Sequence, residues 1–418
     1  MSLLTDWYLA AGALLLLMAL TGATIARVPF SAAMLYLAFG YALGRGGLGL
    51  LDLDVAGHLP LVESIAEIGV VLSLFSVGLR VGVPPGDPAW RVPLRLAGPG
   101  MVITIAAAAL AGWWILGLGW VSALLLAAIV APTDPVLASD VQIRGVSERD
   151  AVRFGLTAEG GMNDGLAAAG ILLALALYAG PATLGRALLT DVVWSLPAGL
   201  AIGWACGSGI GSLALALHRR EGAPEGFEGF LLLGLIALAY GLATLVHAEG
   251  FLAVFAAAVA LRRIERRATA RAGAGATGDP GAPAVIAHQL LAFNRQVEHI
   301  AEVVVVVLAG ALLATVALDI RVLAFALAVI LVARPLAVAL ALAGAGVPAR
   351  ERRLLQWFGV RGIGSLYWLA FALNRGAPAG DAAALTAATL GLVAVSVVVH
   401  GISATPVMDW HVRRRRRA

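Results

Sequence analysis

Runs of apolar residues long enough to cross a bilayer, separated by short polar stretches, recur along the whole chain. Thirteen of them lie near 8–25, 30–48, 61–79, 95–117, 119–139, 154–178, 187–217, 229–247, 249–263, 287–316, 321–344, 354–374 and 382–407. The junctions at 117–119 and 247–249 are tight, so twelve or fourteen spans stay open. The pattern predicts an all-α polytopic membrane protein of about 13 transmembrane helices. Residues 265–286 are small, basic and broken by Gly and Pro, which predicts a flexible loop between two halves. The N-terminal half, 1–264, then holds a first repeat of six spans (about 8–178) and the linking spans seven to nine. Residues 287–408 complete the second repeat, and 409–418 form a basic tail.

Composition narrows the class. The 418 residues are 61% hydrophobic and 13% charged, with a mean hydropathy of +0.92; soluble domains are about a quarter charged. Every one of the 29 basic residues is arginine, and no aromatic-basic interleaving suggests nucleic acid. The single Cys206 excludes an internal disulfide and reads as a packing residue. The start M-S-L-L-T-D-W lacks a positive region before its apolar run, so 8–25 is expected to be a retained span.

The arginines test the span count. With thirteen spans and the Arg413–Arg417 tail in the cytoplasm, 22 arginines fall inside. Four (Arg45, Arg186, Arg321, Arg375) fall outside, and Arg295, Arg334 and Arg361 lie within spans. That split satisfies the positive-inside rule and places the N-terminus outside a cell membrane. Trp113, Trp114 and Trp120 mark the outer interface between spans four and five. In span seven, Gly199, Gly203, Gly207 and Gly211 form a ladder for close helix approach, equally suited to internal packing or a dimer contact.

The chemistry concentrates between Ala131 and Gly165. Pro132 and Pro135 flank Thr133 and Asp134, and two prolines three apart should break span five. Freed carbonyls, the Thr133 hydroxyl and the Asp134 carboxylate are hard oxygen donors suited to a cation; a kink with Asp134 capping a half-helix is the plainer reading. In span six, Glu159 and Asn163 share a face, while Asp164 lies about 140° round from Glu159. Asp164 falls near the bilayer centre, with Gly160, Gly161 and Gly165 stripping bulk around it. Burial favours the protonated form of a carboxyl, so such a group can hold a proton or a sodium ion in turn, but not both. Glu159 is the natural counter-ion for a buried arginine, so Glu159, Arg334 and Arg361 are grouped as a structural ion pair. Arg334 is the preferred partner, and Arg361 is expected near a second break made by Gly362 and Gly364. Two discontinuous segments in corresponding places point to a site between inverted repeats. Glu63, Glu67 and the group Arg295, Glu298 and Glu302 read as interfacial or locally paired, and His247 with Glu249 as a tight turn rather than a zinc site.

These residues resemble the monovalent cation:proton antiporters, in particular the NhaP-like sodium/proton exchangers. The likeness runs through F-S-V-G-L-R (75–80), A-P-T-D-P (131–135), E-G-G-M-N-D-G (159–165), E-G-F-L-A-V-F (249–255), R-G-I-G (361–364) and H-G-I-S-A-T-P-V-M (400–408). It implies two inverted six-helix repeats with crossed discontinuous helices, a core moving against a scaffold, and a homodimer. By position it implies Asp164 as the cation and proton carboxylate, with Thr133 and Asp134 completing the Na+ site and Asn163 supporting it. It also pairs Glu159 with a core arginine. No cofactor is implied beyond the transported Na+ (or K+ or Li+) and H+. Electrogenic relatives carry Asp where Asn163 stands and a core lysine; this chain has neither, which implies one-for-one electroneutral exchange. A serine often follows the Glu in this branch, and Gly160 stands there instead. A cation channel or an intramembrane aspartyl hydrolase are the competing readings; no carbonyl-ring filter repeats here, and the surroundings of the two aspartates fit a hydrolase poorly.

Overall fold

A backbone crossing lipid must satisfy its own hydrogen bonds, and the apolar runs do so as helices. The computed structural model describes residues 31–51, 53, 55–135, 137, 138, 141–143, 150–221, 228–273 and 282–415, with Leu9, Gly12 and Leu16 before them. The helices are α1 (Ala32–Leu43), α2 (Val55–Arg80), α3 (Pro88–Ile115), α4 (Trp120–Val130) and α5 (Ala151–Ala179). They continue with α6 (Ser195–Glu221), α7 (Glu228–Leu245), α8 (Gly250–Gly273), α9 (Ala282–Leu313) and α10 (Ile320–Ala341). The last are α11 (Ala349–Trp357), α12 (Ile363–Asn374) and α13 (Ala382–Arg415). Twelve of the thirteen expected spans contain one of these helices, α11 and α12 sharing a span; most of the first, 8–25, lies outside the described residues. No strand occurs among the described residues.

Several boundaries differ from expectation, four of them informatively. α3 starts at Pro88, seven residues early, because Asp87 accepts the Ala89 N–H at 2.8 Å and proline suits a first helical position. Residues 265–273, expected to be loop, continue α8: alanine and arginine favour helix, and Arg262 pairs with Glu265 at 2.9 Å one turn on. Residues 282–286, also expected to be loop, already belong to α9. The expected tail is likewise helical through Arg415.

Two inverted repeats are visible in α3–α4–α5 and α10–α11/α12–α13. In each, a long helix with a widened π turn precedes a broken helix, and another long helix follows. The π turns, Leu96–Gly100 and Val329–Ala333, contain or adjoin Pro99 and Pro335, which cannot donate the usual backbone bond. Each π turn packs on the other repeat's helix. The two helices run antiparallel: Arg95 donates to the Ala343 carbonyl at 3.0 Å, while Leu116 and Val322 meet in a cavity at the far end. Arg45 and Arg321 line that same cavity. A second group, α1, α2 and α6–α9, packs alongside, with α2 seated between α8, α9 and α12.

The glycine ladder is used within the protomer. Gly199, Gly203 and Gly207 lie against the α8 end at Glu249, Ala253 and Ala257, where a Cβ would overlap backbone carbonyls. Gly203→Val is therefore expected to lower stability by at least the ~1–3 kcal/mol typical of overpacking. Gly209→Val, whose Cβ would meet nothing within 4 Å, serves as the control in thermal melts of the purified protein.

Candidate ion-binding site

Pro132 and Pro135 follow the end of α4 at Val130, and Thr133 and Asp134 lie outside helix beside a second gap, between α11 and α12. That gap spans 358–362, so Gly364 already belongs to the first turn of α12 rather than to the break. The chains cross closely because position 362 lacks a side chain; a Cβ there would meet Leu137 and the Asp134 carboxylate. The Asp134 N–H donates to the Val360 carbonyl at 2.8 Å. Its carboxylate accepts from the backbone N–H groups of Ile363 and of Leu137, the latter at 3.3 Å. Asp134 thus caps the positive end of α12, the plainer of its two sequence readings.

Arg361 answers the opposite need. Its Nε donates to the Val130 carbonyl at 2.7 Å and its Nη1 to the Gly359 carbonyl at 2.5 Å. It therefore satisfies carbonyls freed by both breaks and forms no direct ion pair with Glu159, correcting its grouping with Glu159 and Arg334. The reason is geometric: both broken helices leave unpaired acceptors beside it, and a buried guanidinium must donate somewhere.

α5 passes behind the crossing. Asp150 caps its start, accepting from Val152 and Arg153 at 2.9 and 3.0 Å. Glu159, Asn163 and Asp164 are 2%, 1% and 2% exposed. Both terminal nitrogens of Arg334 donate to the Glu159 carboxylate, one at 2.8 Å, and Nη2 also reaches the Phe358 carbonyl at 3.0 Å. Asn163 Nδ2 donates to Thr133 Oγ1 at 2.7 Å, leaving its own Oδ1 buried with no hydrogen-bond partner among the described residues.

Asp164 differs from the other two acids. Its Oδ1 accepts one hydrogen bond, from Trp368 Nε1 at 3.1 Å, and lies 3.3 Å from where a Cβ of Gly364 would stand. No arginine or histidine pairs with it among the described residues. An ionised carboxylate so enclosed is costly until a proton or cation joins it. Gly160 sits against the first break, its would-be Cβ 3.4 Å from Pro135 and 3.6 Å from the Thr133 carbonyl.

One neighbour escaped the sequence reading. Glu249 is 8% exposed, caps α8 through the Leu252 N–H at 2.5 Å, and stands 3.6 Å from the Cβ position of Gly165. Its helical spacing to Asp164 does not exist, since 84 intervening residues separate them; an acid opening an apolar segment was the available signal. Farther out, α2 is tied to the site-bearing repeats at both ends. Glu63 pairs with Arg375 at 2.7 Å, and Arg80 reaches Gln142 at 3.4 Å while pairing with Glu298 at 2.7 Å. Glu298 thus finds a partner across the bundle.

A buried carboxylate with no arginine or histidine paired to it among the described residues, set against crossed, interrupted helices, is a combination that membrane ion transporters use. Residues 12–410 match the family described as sodium/hydrogen exchanger, transmembrane, and the chain belongs to that family. The K(+)/H(+) antiporter NhaP of Alkalimonas amylolytica is 28% identical over 406 residues, 96% of this chain and 66% of its own length. The K(+)/H(+) antiporter NhaP2 of Shewanella oneidensis is 26% identical over 377 residues, 89% of this chain and 61% of its own. The chain thus spans 61% to 66% of the length of these relatives. Two solved structures of the sodium proton antiporter MjNhaP1 from Methanocaldococcus jannaschii share the fold, with TM-scores of 0.73 and 0.76 at 19% identity. The alignments cover 96% of this chain and 98% and 96% of those chains.

Proposed function

We propose that the chain exchanges a monovalent cation for H+ across a membrane by alternating access, with Asp164 as the shared carboxylate. The observation that carries this reading is the burial of Asp164 at the crossing with a single hydrogen bond and no arginine or histidine partner among the described residues. Thr133 and the carbonyls of the first break supply neutral oxygens nearby, Asn163 positions the Thr133 hydroxyl, and Asp134 contributes its negative charge while capping α12. A proton and a cation compete for one negative charge, so loading one expels the other. The two helix groups then move past one another, α2 releasing its tie at one end or the other.

With Glu159 neutralised by Arg334, Asn at 163, and the Asp134 carboxylate engaged by two backbone N–H groups, Asp164 is left as the single carrier carboxylate, which favours one-for-one, electroneutral exchange. Sodium fits the oxygen donor set. Potassium is favoured as a second reading by two observations: Gly160 leaves out a hydroxyl and opens space beside Thr133, and both relatives carry K(+)/H(+) names. The arginine distribution supports an N-terminus outside and a C-terminus in the cytoplasm of a cell membrane, and the family likeness supports a homodimer.

The test is reconstitution into liposomes carrying an imposed pH gradient, followed by addition of sodium, potassium, lithium or choline. Alkali cations should dissipate the gradient without generating a membrane potential, and choline should not. Cation flux that leaves the pH gradient unchanged would mark a channel instead.

A further inference from the structure

The run R-R-I-E-R-R at 262–267 takes no part in the exchange site, yet the fold folds it into a cavity. Arg262, Arg263, Arg266 and Arg267, on the far part of α8, line a space of about 340 Å³ closed on its other side by Val81–Pro85, the segment leaving α2. Arg262 is 8% exposed and pairs with Glu265 at 2.9 Å, but its Nε is buried with no hydrogen-bond partner among the described residues. Arg263 stacks over the Trp204 ring at 5.3 Å. Four guanidinium groups line this space and Glu265 pairs with one of them, which leaves a surplus of positive charge along it.

A second cavity of about 460 Å³ adjoins the first, and the two share Pro85 and Val259. Its walls are mostly apolar, Leu94, Leu200, Trp204 and Phe255 among them, with Asp87 and Arg91 as the charged residues on the Pro85–Leu94 side. The Asp87 carboxylate is engaged by the Ala89 N–H at 2.8 Å. It lies against α6, which presents Leu200 (43% exposed) and, along its length, Leu213 and Leu217 to its surroundings, as a helix facing lipid does. Trp204 belongs to both halves, lining the apolar cavity while its ring carries Arg263.

We propose that this paired cavity binds one anionic phospholipid, its phosphate held by the arginines and an acyl chain lying in the groove against α6. Arginine suits phosphate through its fork of donors, and a basic pocket between transmembrane helices is a recurrent headgroup site. A soluble phosphate would use the first cavity and leave the second without purpose. The walls come from both helix groups: α6 and α8 on one side, the Pro85–Leu94 segment and Met162, next to Asn163, on the other. A lipid seated there touches both bodies that exchange must move, so its occupancy bears on turnover.

The full chain, purified in a neutral detergent, is melted with added phosphatidylglycerol, with phosphatidylcholine of the same chains, and with glycerol 3-phosphate. Phosphatidylglycerol should raise the melting temperature by several degrees, and the other two should not. In the Arg263→Gln/Arg267→Gln variant the half-maximal phosphatidylglycerol concentration should rise about tenfold or more. Arg266→Gln, at an exposed side chain, gives the same readout with a smaller rise should the double variant not fold. An equal shift with phosphatidylcholine, an equal shift with glycerol 3-phosphate, or unchanged affinity in the variants would overturn the proposal. None of these readouts depends on ion exchange, so failure here leaves the antiport reading to its own test.

Discussion

Asp164→Asn should abolish cation-dependent dissipation of a pH gradient, by at least about a hundredfold, while the protein purifies and melts at or above the wild-type temperature. The substitution keeps shape and retains a carbonyl oxygen able to accept from Trp368, 3.1 Å away in the parent. What disappears is the negative charge, and with it any reason for a proton or cation to enter. Because no arginine or histidine pairs with this carboxylate among the described residues, its neutralisation strands no partner. Removing an uncompensated buried charge is neutral or favourable to folding. Stability and transport therefore part company at this position. Exchange above a tenth of the wild-type rate in proteoliposomes would place the carrier group elsewhere, Glu249 being the next buried carboxylate.

Glu159→Ala and Arg334→Ala should do the reverse, costing about 3–5 kcal/mol each because either leaves an unpaired charge in the bundle. The pair is fully enclosed, with side chains 3% and 5% exposed, and it joins α5 to α10. Arg334 also donates to the Phe358 carbonyl at the end of α11, so its loss additionally unties the second break. The double change Glu159→Leu/Arg334→Leu should recover much of the loss, but not all, since the Phe358 carbonyl stays without its donor. Thermal melts of the four proteins in detergent compare each stranded charge with the apolar replacement of both. Single variants that melt like wild type would show that the pair does not brace the structure.

The contrast between these acids was partly legible in the sequence. Pro132 and Pro135 announce the first break, because a residue without an N–H in a lipid-buried helix has few other consequences. The offset of Asp164 from Glu159 around α5 already separates their surroundings. The second break was harder to delimit: Gly362 and Gly364 stand out in the sequence, yet the helix resumes at Ile363 because Asp134, distant in sequence, caps it. Arg361 read as a charge seeking a carboxylate, whereas the crossing offers it two freed carbonyls first. Glu249 was invisible as a neighbour of Asp164, since only the packing of α8 on α5 brings them together. The start of α3 shows a signal present but unused: Asp87-Pro88 is a cap followed by a first-turn proline, lying outside the apolar run that drew attention.

The decisive measurement is proton release on cation binding. Purified protein in weakly buffered detergent solution, held near the midpoint of its titration, receives increments of sodium or potassium while pH is recorded. A shared carboxylate should release up to one proton per bound cation, with apparent cation affinity falling about tenfold per pH unit on the acid side, and Asp164→Asn should release none. Cation binding that proceeds without proton release, at an affinity indifferent to pH, would contradict it.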